Sequence, residues 1–270
     1  MNRFLRLVTS SMLAAAVLVI GSVPIGCSDE GSSTTGRRIA LDVEIKASSD
    51  SPQFTNAKGW NVTLTKAAVA TGAFYFYDGE TLFAGNGPRG GRGLSGGFVK
   101  SAFAHPGHYV PGNAKGEMLA SSSADLLAGG KVGSGEGVTG LVRSATFSFA
   151  APAAGPLAAE LGANVIVLEG TATKDAETRA FRAEIAPSEV ANTKGLPQIE
   201  GCPFVITDME RDGTVTITVK LPMWFEQVDF TDVPKSADAA PVLLGDGLAR
   251  NQLVRGTKAG LAYSFAYAPR

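Results

Sequence analysis

Two histidines stand three apart in Ala104-His105-Pro106-Gly107-His108-Tyr109, and the 270-residue chain has no others. Pro-Gly is a strong turn signal: Pro presets φ at the second turn position, and Gly accepts the positive φ that a type II turn needs at the third. His105 and His108 are then the first and fourth residues of the turn, with Cα atoms under about 7 Å apart. Two neutral imidazoles at that spacing can chelate one metal ion, and imidazole suits Zn, Cu and Ni. Zn²⁺ or Cu²⁺ is the cofactor this turn suggests. Structural zinc is almost always four-coordinate, so further ligands must come from elsewhere. Glu117 and Asp125 are the nearest carboxylate candidates after the turn, within a reach that a loop-rich domain can close. Tyr109 and Phe103 can wall one side of such a site. Ligating imidazoles must be neutral, so affinity should weaken as pH falls through about 6.5. The plain alternative is a loop with two polar rings in water.

Other reactive residue types are less concentrated. Glu169 and Glu184 lie on strand-like segments and read as solvated charges. Met118 is a soft ligand candidate for copper, but it reads better as a gap-filling core residue. Cys202 is followed by Pro203 and Phe204 and by no His at all, which excludes a blue-copper arrangement. The run at 85–97 holds both G-x-G-x-x-G and G-x-S-x-G. No amphipathic helix follows it, so neither a dinucleotide fingerprint nor a nucleophile elbow is supported, and the run reads as a surface loop. Trp224, Phe225 and Phe230 form an aromatic cluster that could offer a ligand or sugar-stacking platform but reads better as a plug for one end of a β sandwich.

The elements that would position these groups have period two. Ile39, Leu41, Val43 and Ile45 alternate with Ala40, Asp42, Glu44 and Lys46, the pattern of a strand with one buried face. Trp60, Val62 and Leu64 alternate likewise. Residues 73–77 are aromatic and strand-like, with Asp78-Gly79 as a turn. Residues 138–149 carry another long alternation. Residues 165–173 and 181–185 predict a hairpin joined by a charged loop at 174–179. A second hairpin is expected from 204–207, the turn Arg211-Asp212-Gly213, and 215–221. Residues 261–267 make a last strand. A helical period is visible only at 246–255, where Gly256 could cap it. Pro52, Pro111, Pro187, Pro222 and Pro234 fall between these strands. The expected fold class is all-β, a sandwich or barrel-like domain over residues 39–270 with one or two short helices.

The N-terminus has a different character. Arg3 and Arg6 precede an apolar run at 13–20, too short for the about 20 residues of a membrane span, and small residues lead to Cys27. This is the layout of a secretory signal peptide over residues 1–26. Ile25-Gly26-Cys27 resembles the lipobox of bacterial lipoproteins, although Pro24 stands where that pattern usually has Leu. The resemblance covers the first 30 or so residues and implies diacylglycerol on Cys27. Residues 28–38 are polar and rich in Gly and Ser, as a flexible tether is. The expected location is the exported, membrane-anchored side of the envelope: periplasm, outer membrane or cell surface. Lipidation of Cys27 leaves Cys202 as a lone thiol, expected to be buried and unpaired, which argues against a disulfide framework. With 24 basic and 25 acidic residues and no basic stripe, nucleic acid is an unsuitable partner. Two functional classes lead: a lipid-anchored metal-handling protein using the histidine turn, and a non-enzymatic envelope module that binds a protein or glycan partner. An enzyme ranks last, because every nucleophile–base pair would need the same two histidines.

Overall fold

Ile39, Leu41, Val43 and Ile45 do point into the core, and they build β1 (Arg38–Ala47) of the computed structural model, which describes residues 36–81, 109–235 and 240–270. The signal segment, Cys27, the glycine run, His105 and His108 lie outside those residues. β1 takes β7 (Gly130–Val138) antiparallel on one edge and β12 (Gly213–Val219) parallel on the other. Eight strands then close a barrel in the order β1, β12, β14 (Tyr263–Pro269), β11 (Gln198–Met209), β8 (Gly140–Ser148), β4 (Phe74–Tyr77), β5 (Ala114–Met118), β7. Closure removes the free strand edges that an open sheet would expose. The all-β, barrel-like class expected from the sequence is the class that forms.

The barrel interior is aromatic. Phe74 and Phe76 face inward from β4, with ring centroids 5.1 Å from Phe147 and 5.7 Å from Phe204 respectively. Phe265 sits between them, 6.3 Å from Phe74 and 6.0 Å from Phe76. Each fully buried ring contributes on the order of 1.5–3 kcal/mol through lost apolar surface. Glycine on the facing wall makes room. A Cβ on Gly133 would stand 2.6 Å from Met118 Sδ, and one on Gly135 would stand 2.2 Å from the Glu117 carbonyl oxygen. Small residues opposite large ones fill a narrow barrel. The same composition hides β7 from sequence reading, because Gly-Lys-Val-Gly-Ser-Gly-Glu-Gly-Val has little alternation and poor strand propensity.

A second sheet runs β13 (Val242–Leu243), β10 (Glu177–Ile185), β9 (Ile166–Lys174), β3 (Asn61–Thr71), β2 (Gln53–Thr55), and β6 (Ser122–Asp125) also pairs with β3. β3 alternates through Val62 and Leu64, then bulges between Leu64 and Lys66, after which all of 67–71 is buried. Burial on both faces erases the period-two signal. The β9–β10 hairpin is tighter than its sequence suggests. Lys174 pairs with Glu177, so the turn is only Asp175-Ala176, with Asp175 left-handed at φ 53°. Asp tolerates that conformation better than most residues.

The expected 204–221 hairpin does not pair with itself. β14 slots between β11 and β12, parallel to the first and antiparallel to the second. A strand contributed from the far end of the chain displaces the local pairing.

Among the described residues, three short α-helices accompany the strands, one more than the sequence leads one to expect. α1 (Ala158–Leu161) is a single turn beside β3, while α2 (Leu221–Phe225) and α3 (Leu248–Thr257) pack on each other. Gly256 is inside α3 rather than capping it. A Cβ there would stand 2.1 Å from the Trp224 carbonyl oxygen, so glycine permits the close approach of the two helices. Trp224, Phe225 and Phe230 are buried. Phe225 and Phe230 lie 5.6 and 5.0 Å from Phe181, Trp60 lies 5.7 Å from Phe230, and Trp224 meets Tyr263 at 6.1 Å. The cluster is a plug, not an exposed platform. One contiguous apolar core runs through barrel and sheet. Cys202 is buried and unpaired, and its Sγ donates to the Ile199 carbonyl at 3.3 Å. Among the described residues no helix is long and apolar enough to cross a membrane.

Candidate binding face

The tetrapeptide Phe-Tyr-Phe-Tyr of β4 sends its phenylalanines into the barrel and its tyrosines to the outer face, as strand geometry requires. Tyr75 and Tyr77 are stacked, 6.4 Å apart and inclined by 30°. Tyr109 meets Tyr77 edge-on at 6.5 Å. Tyr109 is fixed in place from two sides. The Ser144 hydroxyl donates to the Gly79 carbonyl at 2.6 Å, which leaves Ser144 Oγ to accept from the Tyr109 hydroxyl at 2.7 Å. Beneath the ring lies Gly201, where a Cβ would come within 3.3 Å of the ring atoms. Burial pushes the Tyr109 phenol up to about 12 and raises that of Tyr77 as well. Both phenols therefore stay neutral at ordinary pH and can donate as well as accept hydrogen bonds.

A recess of about 150 Å³ opens between these rings, with Thr146, Gln198, Lys194 and Glu200 around it. Lys194 and Glu200 form an exposed ion pair at 2.8 Å on its margin. The volume falls below the about 300–1,000 Å³ that encloses a whole drug-sized ligand. It suits one ring or one side chain of a larger ligand. Three π faces beside hydroxyl, amide, ammonium and carboxylate groups can stack on a flat apolar surface while hydrogen-bonding its edges.

The residues singled out by sequence are distributed differently. Glu117 is exposed on β5, opposite Tyr75 in register on one side and Glu136 on the other. It lines an open groove with Arg38, Lys115 and Glu136. Asp125 is on β6 in the other sheet, and its Oδ1 accepts from the Leu127 amide at 3.0 Å. The structure does not bring the two carboxylates together. Among the described residues, no group of three or more His, Cys, Asp or Glu is placed to hold a metal ion. Met118 is wholly buried in the barrel, in its packing role. Glu169 and Glu184 flank Arg182 on the solvent side, with Lys66 3.7 Å from Glu169 and Arg182 2.6 Å from Glu184. Sequence reading missed the tyrosine face. Its signal was available: an aromatic strand in which the two alternating sets differ only by a hydroxyl needs both faces occupied.

No protein-family model matches the chain, and neither the curated proteins nor the solved structures with which it was compared give a match.

Proposed function

We propose that the chain is an exported lipoprotein of the bacterial envelope whose β domain is a non-enzymatic binding module, and that it takes a glycan on the tyrosine face. The observation that carries this reading is the recess framed by Tyr75, Tyr77 and Tyr109. A sugar ring presents an apolar C–H face and a hydroxyl periphery, and the recess presents aromatic faces beside Thr146, Lys194 and Glu200. Its size suits one sugar residue, so the ligand is a longer chain that lays one unit there. The anchor rests on Arg3, Arg6, the apolar run at 13–20 and the lipobox-like Ile25-Gly26-Cys27. Multiple acyl chains at about 0.8 kcal/mol per buried CH₂ anchor stably where one does not.

The test is binding of envelope glycan fragments by calorimetry. Removing two stacking faces at about 1 kcal/mol each should weaken binding about thirtyfold in Tyr75→Ala/Tyr77→Ala, with far-UV circular dichroism unchanged. Equal affinity in the double variant, or no glycan bound by wild type, rejects the reading. Labelling with a fatty-acid analogue tests the anchor: wild type takes label and Cys27→Ser does not.

A second reading keeps the histidine turn, because Tyr109, which directly follows His108 in sequence, is fixed on this same face. In it His105 and His108 bind Zn²⁺ or Cu²⁺ with a carboxylate. Glu117, in register with Tyr75, is the stronger candidate, and Asp125 on the other sheet the weaker. Equal uptake of both metals by wild type and His105→Ala/His108→Ala would reject it.

A further inference from the structure

Three of the most exposed large apolar side chains share one end of the barrel. Val110, Val205 and Ile206 are 63, 62 and 66 % exposed. The last two are thrown outward by an irregularity in β11. Pro203 pairs with Ser144 and Thr207 with Val142, so three residues of β11 face a single residue of β8. Phe204 stays inside the barrel, and the two aliphatics that follow it have no internal place. Val110 is held at the same level: its carbonyl oxygen lies directly over Gly79, just past the end of β4, and Gly79 is tied to Ser144.

The chain enters the domain at this end too. The Arg37 amide donates to Thr139 Oγ1 at 2.9 Å, and its guanidinium donates to the Glu210 carbonyl at 2.5 Å. Thr139 lies in the β7–β8 turn and Glu210 in the β11–β12 turn. Register places both turns level with the end of β14, since Met209 pairs with Gly140 and Gly213 with Pro269. Only nine residues, 28–36, separate Cys27 from Arg37. The ten steps from Cys27 to Arg37, at no more than about 3.3–3.6 Å each, span at most about 36 Å. A lipid on Cys27 would therefore tether the domain to the bilayer through this end of the barrel, where the described chain begins.

We propose that Val110, Val205 and Ile206 dip into the surface of the anchoring leaflet, so that the barrel stands end-on upon the membrane with its tyrosine face turned sideways. The inference rests on the lipid anchor proposed above. The occupant is the apolar boundary of the lipid rather than its charged headgroups. Charges at this end are balanced: Arg143 pairs with Glu80, Lys115 with Asp78 and Arg270 with Asp42, while Arg37, Arg38 and Arg211 are matched by Asp208, Glu210 and Asp212, so the rim has no charge preference. Neutral lipid is sufficient, and the contact persists at high salt.

The experiment uses the full acylated chain reconstituted into phosphatidylcholine vesicles. An environment-sensitive fluorophore is placed at Ile206→Cys or, separately, at Val110→Cys. Leu196→Cys is the control. Leu196 is also exposed, but it adjoins the opposite end, where Pro197 and Gln198 pair with Phe149 and Ser148. Buried Cys202 does not compete for the label. The expected result is quenching by spin-labelled lipid that is severalfold stronger at 206 and 110 than at 196, with a blue shift at 206 that appears only on reconstitution. Equal quenching at all three sites overturns the proposal. So does a blue shift already present without vesicles, which would mean that another part of the chain or a second copy covers the rim. Fatty-acid labelling of the same preparation separates the two failures. An unlabelled Cys27 overturns anchor and orientation together, whereas a labelled Cys27 with an unquenched 206 overturns the orientation alone.

Discussion

Tyr109 joins the tyrosine face to the barrel wall through a single hydroxyl, and that hydroxyl is testable. In Tyr109→Phe the ring keeps its place over Gly201, and Ser144 still donates to Gly79. The loss is one hydrogen bond, worth about 1 kcal/mol of stability. Spectrophotometric titration should show one fewer phenol ionising at high pH, near 12, in the variant than in the wild type, Tyr263 remaining in both; an unchanged titration curve would mean that burial does not raise Tyr109. Asp229 makes a different case. It accepts from Thr231 through both amide and hydroxyl, and from Trp60 Nε1 at 3.2 Å. Those bonds, Thr231 first, hold its carboxyl below the usual carboxylate range. Asp229→Ala leaves the indole N–H of a buried Trp60 without a partner, at a cost of about 1–3 kcal/mol, measurable as a lower urea midpoint. Single residues were legible where burial decided their role. Cys202, Met118 and Trp224 read as core from type and context, and core they are. Tyr75 and Tyr77 were not singled out, because an all-aromatic strand reads as buried, and only pairing with β8 and β5 reveals which side faces outward.

Elements were legible in proportion to how local their pairing is. β1 shows its buried face in four alternating aliphatics, and the β9–β10 hairpin pairs neighbours in sequence. β7 carries no such signal, since its glycines serve Met118 and the backbone of β5 across the barrel rather than its own propensity. The place of β14 between β11 and β12 is set by a contact between distant parts of the chain, which no local pattern encodes. The α2–α3 contact shows the same dependence on a partner. In an exposed helix, Gly→Ala would gain about 1 kcal/mol. At Gly256 the added methyl meets the Trp224 carbonyl carbon at 2.7 Å as well as its oxygen. Overpacking of this kind costs about 1–3 kcal/mol, so Gly256→Ala should be destabilising on balance. Asn251→Ala, on the exposed side of the same helix, should be near neutral. Urea titration of the two variants decides this, and a stabilised Gly256→Ala would show that α3 can move off α2 freely.

At the scale of the whole molecule, the barrel buries ionisable groups that it must keep protonated. The Cys202 thiol is pushed up to about 12 by burial, Tyr109 likewise to about 12, and Tyr77 and Tyr263 are raised for the same reason. An unfolded thiol ionises near 8.5 and an unfolded phenol near 10. Between those values and about 12 the unfolded chain sheds protons that the folded chain retains. Stability falls with pH wherever the folded state binds more protons, so the contribution of these groups is fully present below about 8.5 and is lost as pH climbs toward 12. For Cys202 the loss is on the order of 1.4 kcal/mol per pH unit across that window. The urea midpoint should therefore drop steadily from pH 9 to pH 11. Cys202→Ala removes one of the groups, so it should start from a lower midpoint because of the cavity and then decline less steeply. Parallel declines in the two proteins would mean that water reaches the thiol, and that the barrel interior is less closely packed than the ring-to-ring distances around Phe74, Phe76 and Phe265 imply.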